Sequence, residues 1–349
     1  MNSPTAQILV IEAGVNNTLQ DAGRHGYRAL GIPQSGALDR DSLAAVNALV
    51  GNPAHACALE CSLLGPRLRC TQGPLTLALL GWPQALRWRD GQTQAVADAS
   101  TIELMTGDEL QLGPSQGTAY LGAAGGWQSP PVLGSTSTYT RAHLGGVHGR
   151  ALQTGDTLQA LNPNTPALCA PTLPAWRHDT TPLRIMAAPQ TAAFPDDNLA
   201  RLCEHDWIVS AQADRMGLRL NPPDAQAPPL TAQNGAANQM VSDGVLPGAI
   251  QVTPHGQAVI LLADGQTVGG YPKIAAVIQA DLPRLAHWRP GQRLRLTWVE
   301  REQAKAALRA QAKILADWCA SLHPPVRQPD TTVLLGANLI SGIINGHDD

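Results

Sequence analysis

The sequence predicts a mainly β fold with a few helices, arranged as two related β-barrels in one chain and followed by an amphipathic helix. Three observations lead there. The chain has 349 residues, a length that suggests two domains. It carries 33 glycines and 28 prolines, and turn formers at that density leave little room for long helices. A short pattern also recurs: Gly107-Asp108-Glu109-Leu110-Gln111-Leu112, Gly155-Asp156-Thr157-Leu158-Gln159 and Gly291-Gln292-Arg293-Leu294-Arg295-Leu296. Each runs from a turn glycine into alternation, as a hairpin feeds a half-buried strand whose side chains face opposite sides of a sheet.

The elements follow in order. Between Asp39 and Val50, Leu43, Val46, Leu49 and Val50 keep helical spacing. An aspartate can cap the start, Gly51 suits a left-handed stop, and Pro53 blocks continuation. Short strands are expected at 59–64, 75–80, 85–88 and 101–105. Residues 162–182 contain Pro163, Pro166, Pro171, Pro174 and Pro182 and read as the linker. The second half restarts with a strand at 183–186 and a short helix between 197 and 207. A strand pair spans 250–263, a polar loop 221–240, and one or two helical turns 281–288. From 299 to 322, Leu308, Leu315 and Leu322 repeat at seven with Ala304, Ala312 and Cys319 between them. That amphipathic helix is expected to pack on its own barrel, the other reading being a docking surface for a partner. Residues 331–345 are apolar and expected to pack as a strand on this chain or a partner. The expected division is therefore 1–170, an N-terminal subdomain with one early helix; 183–298, a second barrel; and 299–349, a helical extension with an apolar tail.

Composition removes several function classes. Hydrophobic residues make up 44% and charged residues 15%, which excludes disorder across the whole chain. A net charge of −3 with pI near 6.3 gives no electrostatic footprint for nucleic acid. No stretch reaches the ~18–20 apolar residues that cross a bilayer, and no signal-peptide pattern opens the chain. The 6 cysteines are too scattered for a disulfide framework. A cytoplasmic protein is expected, without nucleic-acid or membrane partners.

Several motifs weigh little. Gly113-Pro114-Ser115-Gln116-Gly117 fits the nucleophile-elbow pattern, but residues 118–124 read as a strand, not the helix an elbow needs. Cys57, Cys61 and Cys70 read as buried thiols, and His143 with His148 lacks a third zinc ligand. No P-loop signature is present.

Three polar runs are more informative. The first, 18–27 continuing to 35–40, gathers Gln20, Asp21, Arg24, Tyr27, Asp39 and Arg40 among glycines, which permit the close backbone approach of a binding loop. An Asp–Arg pair stitching turns together is the alternative. The second, 212–219, holds Asp214-Arg215; on a strand, the two charges would point to opposite faces. The third is Ala263-Asp264-Gly265-Gln266-Thr267-Val268-Gly269-Gly270-Tyr271-Pro272-Lys273. Lys273 is the first lysine in an arginine-biased chain, and a compact ammonium is not interchangeable with a guanidinium. The N–H groups of Gly269 and Gly270, with that ammonium, suit a carboxylate or phosphate. A solvated turn lysine is the other reading.

Over 18–27, 31–43, 47–53, 59–66, 123–126, 132–150, 214–220, 244–252 and 261–276, which take in these runs, the chain resembles the biotin-dependent carboxyltransferase family. That family includes the C subunit of bacterial ATP-dependent 5-oxoprolinase, allophanate hydrolase subunit 2 and the antagonist of a sporulation kinase inhibitor. The resemblance implies two cyclophilin-like barrels and a partnership with the oxoprolinase B subunit, directly, and with its A subunit. It implies ATP-driven opening of 5-oxo-L-proline to L-glutamate, with ATP and magnesium used at the level of the complex and the chain inactive alone. Lys273, Arg24, Asp21 and Asp214 are then expected to be catalytic. Gln20, Tyr27, Asp39, Arg215, Gln251, Thr267, Gly269, Gly270 and Tyr271 are expected to bind the lactam or amide substrate, and no metal site is expected. Two alternatives share the resemblance: carboxyl transfer from carboxybiotin to urea or a related amide, and non-catalytic control of a kinase inhibitor resembling the B subunit. The family usually has arginine where this chain has Gly265 and threonine where it has Val268.

Overall fold

The computed structural model describes residues 6–160, 168–224, 226–232 and 240–324; the expected strand at 331–345 lies outside them. The first half contains β1 (Ala6–Glu12), β2 (Thr18–Gln20), α1 (Arg40–Leu49), β3 (Ala58–Cys61), β4 (Arg67–Gln72), β5 (Leu75–Leu80), β6 (Leu86–Arg89), β7 (Gln92–Ala95), β8 (Ser100–Leu104), β9 (Glu109–Gln111), β10 (Ala119–Ala123) and β11 (Thr157–Ala160). One sheet runs β11-β1-β4-β9-β6-β7 and another β2-β3-β10-β5-β8.

Periodicity explains how the sheets close on one core. In β1, Ala6, Ile8 and Val10 are buried while Gln7 and Leu9 are not, the alternation of a half-buried strand. In β5 every residue is buried. Leu75, Leu77 and Leu79 enter the barrel core, whereas Ala78 and Leu80 pack outward with Leu43, Val46 and Leu49 of α1. Each such leucine contributes roughly 1.5–3 kcal/mol by leaving water. Helix α1 starts where its cap predicts: the Asp39 side chain accepts from Ser42 N at 2.8 Å, satisfying an otherwise orphaned donor.

The second half contains β12 (Leu183–Ala187), α2 (Asp196–Glu204), β13 (Trp207–Val209), β14 (Gly217–Asn221), β15 (Asp243–Gly244), β16 (Ala249–Val252), β17 (Ala258–Leu261), β18 (Val268–Gly269), β19 (Lys273–Val277), α3 (Leu282–Leu285), β20 (Arg293–Leu294), β21 (Leu296–Trp298) and α4 (Arg301–Ala320). Eight strands form one sheet in the order β20-β13-β14-β17-β16-β19-β12-β21. Its two edge strands, β20 and β21, are separated only by Arg295, whose carbonyl accepts from Leu183 N at 2.8 Å. The sheet therefore curls into a nearly closed barrel, which removes exposed edges. β15 and β18 form a separate two-stranded ribbon.

Two expectations change. The linker is partly core: Trp176 and Arg177 are buried in a short 3₁₀ turn, and Arg177 donates to Ser42 Oγ at 2.9 Å. Helix α4 packs on both halves, not on its own barrel alone. Ala307 joins Ile278 and Ala280 of the second half. Trp318 joins the α1 core, meets Trp176 edge-on at 6.0 Å and donates from Nε1 to Thr172 O at 3.0 Å.

Candidate functional site

The two barrels meet along a polar seam. Arg215 of the second half donates to Glu60 Oε1 and to Gly36 O of the first half, the latter at 2.6 Å, while its Nε reaches Asp264 Oδ2 at 2.9 Å. Burial works against that guanidinium's charge, but Asp264 and Glu60 outweigh it and hold its pKa above the usual arginine value. Glu60 also accepts from Tyr120 OH at 2.7 Å and Leu38 N at 2.8 Å. Asp39, wholly buried, accepts from Ser42 and lies 2.7 Å from His287 Nε2. Burial raises the Asp39 carboxyl, yet His287, Arg177 and Ser42 together hold it below the usual carboxylate range.

Above this seam opens a cleft of about 350 Å³, with Thr18, Glu60 and Arg141 on one wall and Asp214, Arg215 and Asp264 on the other. Past Arg141, Asp214 and Met216 it continues into a hollow of about 640 Å³ lined by Arg219, Gln251, Gln266 and Tyr271. The two hollows make one groove between the halves, the kind of concave site in which convergent polar groups bind small molecules.

The sequence-predicted residues distribute around this groove unevenly. Asp214, Arg215, Gln251 and Tyr271 line it. Asp214 and Arg215 sit in the turn before β14, not on a strand: the Asp214 carboxylate accepts from Met216 N at 2.8 Å and Gly217 N at 3.2 Å. Asp214 is half-exposed, 3.7 Å from Arg141. Gln251, buried, donates to Tyr271 O at 3.3 Å and accepts from Gln266 Nε2 at 2.9 Å.

Gln20, Asp21, Arg24, Tyr27, Asp39, Thr267, Gly269, Gly270 and Lys273 do not line either hollow. Asp21 clasps the 135–137 loop, accepting from Ser135 Oγ at 2.6 Å, Thr136 N at 2.7 Å, Thr136 Oγ1 at 3.0 Å, Gly23 N at 2.8 Å and Ser137 Oγ. Burial opposes ionisation there, but the donors of Ser135, Ser137, Gly23 and Thr136 prevail and lower its pKa. This carboxylate orients a loop, with its lone pairs spent. Gln20 is fully buried and donates to Thr18 Oγ1 at 3.0 Å and Thr138 O at 3.1 Å, while its Oε1 has no hydrogen-bond partner among the described residues. Tyr27 accepts through its carbonyl from Leu30 N at 3.0 Å and Ile32 N at 3.3 Å.

Arg24 is a buried cation with few partners. It is 0% exposed and donates through Nη2 to Ser137 O, leaving Nε and Nη1 without hydrogen-bond partners among the described residues. Burial lowers its pKa against the pull of Asp21 and Asp264. The glycines of this run permit its fold. Gly23 and Gly36 have φ of +89° and +88°, and a Cβ on Gly36 would lie 2.8 Å from Gly23 N. Only glycine lets these two loops pass that closely.

Lys273 opens β19 opposite Gln251. Its side chain is almost wholly buried and its ammonium donates to Asp243 Oδ2 at 2.7 Å and Gly244 O at 3.2 Å. Asp243 is half-exposed on the ribbon β15–β18, and its hydrogen bond to Lys273 lowers its pKa. Gly269 pairs with Asp243 and a Cβ there would stand 2.7 Å from Gln251 Nε2. Gly270 accepts from Met240 N at 2.8 Å, and buried Thr267 accepts through its carbonyl from Val245 N at 3.0 Å. At Gly265, a Cβ would come within 3.0 Å of Leu262 O and 3.1 Å of Met216 O, so the loop here is closed down over the position where the family usually carries arginine.

Sequence reasoning missed Glu60, Arg141, Asp243 and His287. Each works through a partner distant in sequence, and no local pattern marks them. Ser115 of the G-x-S-x-G motif donates to Leu63 O at 3.1 Å in a turn leading to strand β10, so the elbow geometry is absent, as expected.

Comparison with known proteins agrees with this architecture. The chain is 34% identical over 326 residues to the C subunit of 5-oxoprolinase from Escherichia coli, covering 90% of this chain and 98% of that protein. The crystal structure of TTHA0988 superposes with a TM-score of 0.72 at 31% identity, over 84% of this chain and 56% of that one. The Kluyveromyces lactis urea amidolyase structure gives 0.75 at 26% identity, over 91% of this chain and 20% of that one. The chain thus spans about half of the first solved structure and a fifth of the second. Residues 30–298 match the carboxyltransferase domain, subdomains A and B, and the chain belongs to that family.

Proposed function

We propose that the chain is the C subunit of a cytoplasmic ATP-dependent 5-oxoprolinase, opening 5-oxo-L-proline to L-glutamate together with the A and B subunits. The observation carrying this reading is its similarity to the Escherichia coli protein along nearly the whole of that protein's length. An amide is a poor electrophile, which gives ATP its use. Transfer of the γ-phosphoryl group to the lactam oxygen, with ADP leaving, makes the ring carbon open to water. Water adds to that carbon, the carbon–nitrogen bond breaks as the nitrogen takes a proton, and a second water hydrolyses the resulting acyl phosphate to glutamate and free phosphate. Such a site needs cations for the phosphoryl group and donors for the developing oxyanion.

In this reading the groove between the barrels holds the substrate. Arg24, two of whose guanidinium nitrogens have no hydrogen-bond partner among the described residues, and Lys273 line neither hollow; they neutralise the anion once the loops carrying them open onto the groove and Lys273 is released from Asp243. Arg141 and Arg219 line the groove and are the further cations with which this chain meets a nucleotide phosphate; magnesium enters with the nucleotide. Gln251 and Tyr271, which line the groove, hydrogen-bond the lactam, while Gln20, Tyr27, Thr267, Gly269 and Gly270, which do not line it, reach it through the same loop opening. Asp21, Asp39 and Asp214 orient the loops and basic residues, with Arg215 locking the seam.

A second reading is favoured by the likeness to urea amidolyase: carboxyl transfer from carboxybiotin to urea or a related amide, with the biotin carrier and biotin carboxylase on other chains. Co-purification with the A and B subunits separates the two. Oxoproline-dependent ADP release matched by glutamate is the expected result; a stable complex whose ADP release ignores oxoproline overturns it.

A further inference from the structure

A separate pocket of about 370 Å³ lies between the halves, bounded by the 115–117 turn, residues 176–180 of the connecting segment and residues 284–292. It shares only Trp288 and Arg289 with the groove. Three guanidiniums, those of Arg177, Arg284 and Arg289, line it together with His178 and His287, against the single carboxylate of Asp179. Arg284 is neutralised, 3.3 Å from both Asp179 and Asp281. The other two arginines have only neutral hydrogen-bond partners among the described residues, although Asp39 and Asp98 act on Arg177 from farther away. Arg177 donates to Ser42 Oγ at 2.9 Å and Gln116 O at 2.8 Å. Arg289 donates to Ser115 Oγ at 3.3 Å and to Gly117 O.

These cations act on one another. Burial lowers the pKa of Arg289, and repulsion from Arg177 lowers it further. His287 is lowered by burial, then by Arg177 and Arg289, against the pull of Asp39. Its side chain is 10% exposed and its Nδ1 has no hydrogen-bond partner among the described residues. The ring sits so close to Gly117 that a Cβ there would lie 2.2 Å from Nδ1. Buried like charges held together with little direct counter-charge create a field that attracts an anion.

We propose that this pocket binds a phosphate-class oxyanion, either free phosphate or a phosphoryl group of a nucleotide. Arg289 and Arg177 would hold it, with Ser115 Oγ and the edge of His287 beside them. Donors converge from three separate chain segments, which suits a tetrahedral oxyanion better than a planar carboxylate. The proposal involves neither Lys273 nor Arg24, although Arg289 also borders the groove.

Titration calorimetry of the purified full chain with inorganic phosphate, and separately with ATP, tests it. Saturable one-to-one binding is expected, weakened about tenfold or more by Arg289→Gln, partly restored by Arg289→Lys, and changed by less than about twofold by Lys313→Met on the exposed face of α4. Tighter binding of ATP than of phosphate assigns the site to a nucleotide, and the reverse order to the free ion. In the unaltered chain, phosphate should shield Arg289 from phenylglyoxal while Arg309, exposed on α4 and lining none of these pockets, still reacts, read by mass spectrometry. Absence of saturable binding of either probe, or shielding of Arg141 in place of Arg289, overturns the proposal.

Discussion

Asp41, in the first turn of α1, lies near the Asp39 carboxylate and accepts from Gln311 Nε2 at 2.6 Å. Burial first, and the charge of Asp39 second, raise its pKa to about 6, against the opposing pull of Gln311 and Arg40. A carboxyl raised in the folded state holds its proton more tightly there than in the unfolded chain, so the fold loses stability as pH climbs from about 4 through 6. The shift corresponds to at most roughly 3 kcal/mol. Asp41→Asn should therefore raise the melting temperature at pH 8 relative to the unaltered chain, with the gain vanishing near pH 4. Thermal melts across that range check it, and a pH-independent difference would contradict the assignment. Asp21 and Asp39 have the opposite sign: their pKa values are lowered, so their contribution is present above about pH 4 and lost as pH falls.

Among the elements, α1 was fully legible because its signals are local: the Asp39 cap, the apolar stripe and the glycine stop lie within a dozen residues. Helix α4 was legible in extent but not in orientation. The leucine repeat at seven picks out Leu308, which is 40% exposed, whereas the buried residues are Ala307 and Trp318, eleven positions and three turns apart. Trp318 anchors the helix to the first half while Ala307 seats it on the second. Trp318→Ala should cost about 3–5 kcal/mol in urea denaturation and loosen the helix from the α1 core. A loss below about 1 kcal/mol would mean that this contact contributes little. Asp39→Ala should be at least as costly, roughly 3–5 kcal/mol, because it removes a cap and a buried partner of His287 at once.

At the scale of the molecule, the Glu60–Arg215–Asp264 network joins the halves. Arg215→Met leaves two buried carboxylates without their counter-charge, a loss of roughly 3–5 kcal/mol. Calorimetry should show one cooperative transition in the unaltered chain and two separated ones in the variant; one unchanged transition would deny the network that role. The seam was only half legible. Asp214-Arg215 stood out as a dipeptide, but its partners lie 49 residues away at Asp264 and 155 away at Glu60, beyond any local pattern. For the same reason Lys273 was conspicuous by rarity while Asp243, which grips its ammonium, was not. The closing of the second barrel was foreshadowed by the Gly291–Leu296 pattern, which supplies both edge strands. The central claim, that Lys273, freed from Asp243, neutralises an anionic group during lactam opening, is tested most directly through Lys273→Met in the assembled complex. Oxoproline-dependent ADP release should fall about 100-fold or more with assembly and melting temperature preserved. Near-normal turnover in that complex would contradict the claim.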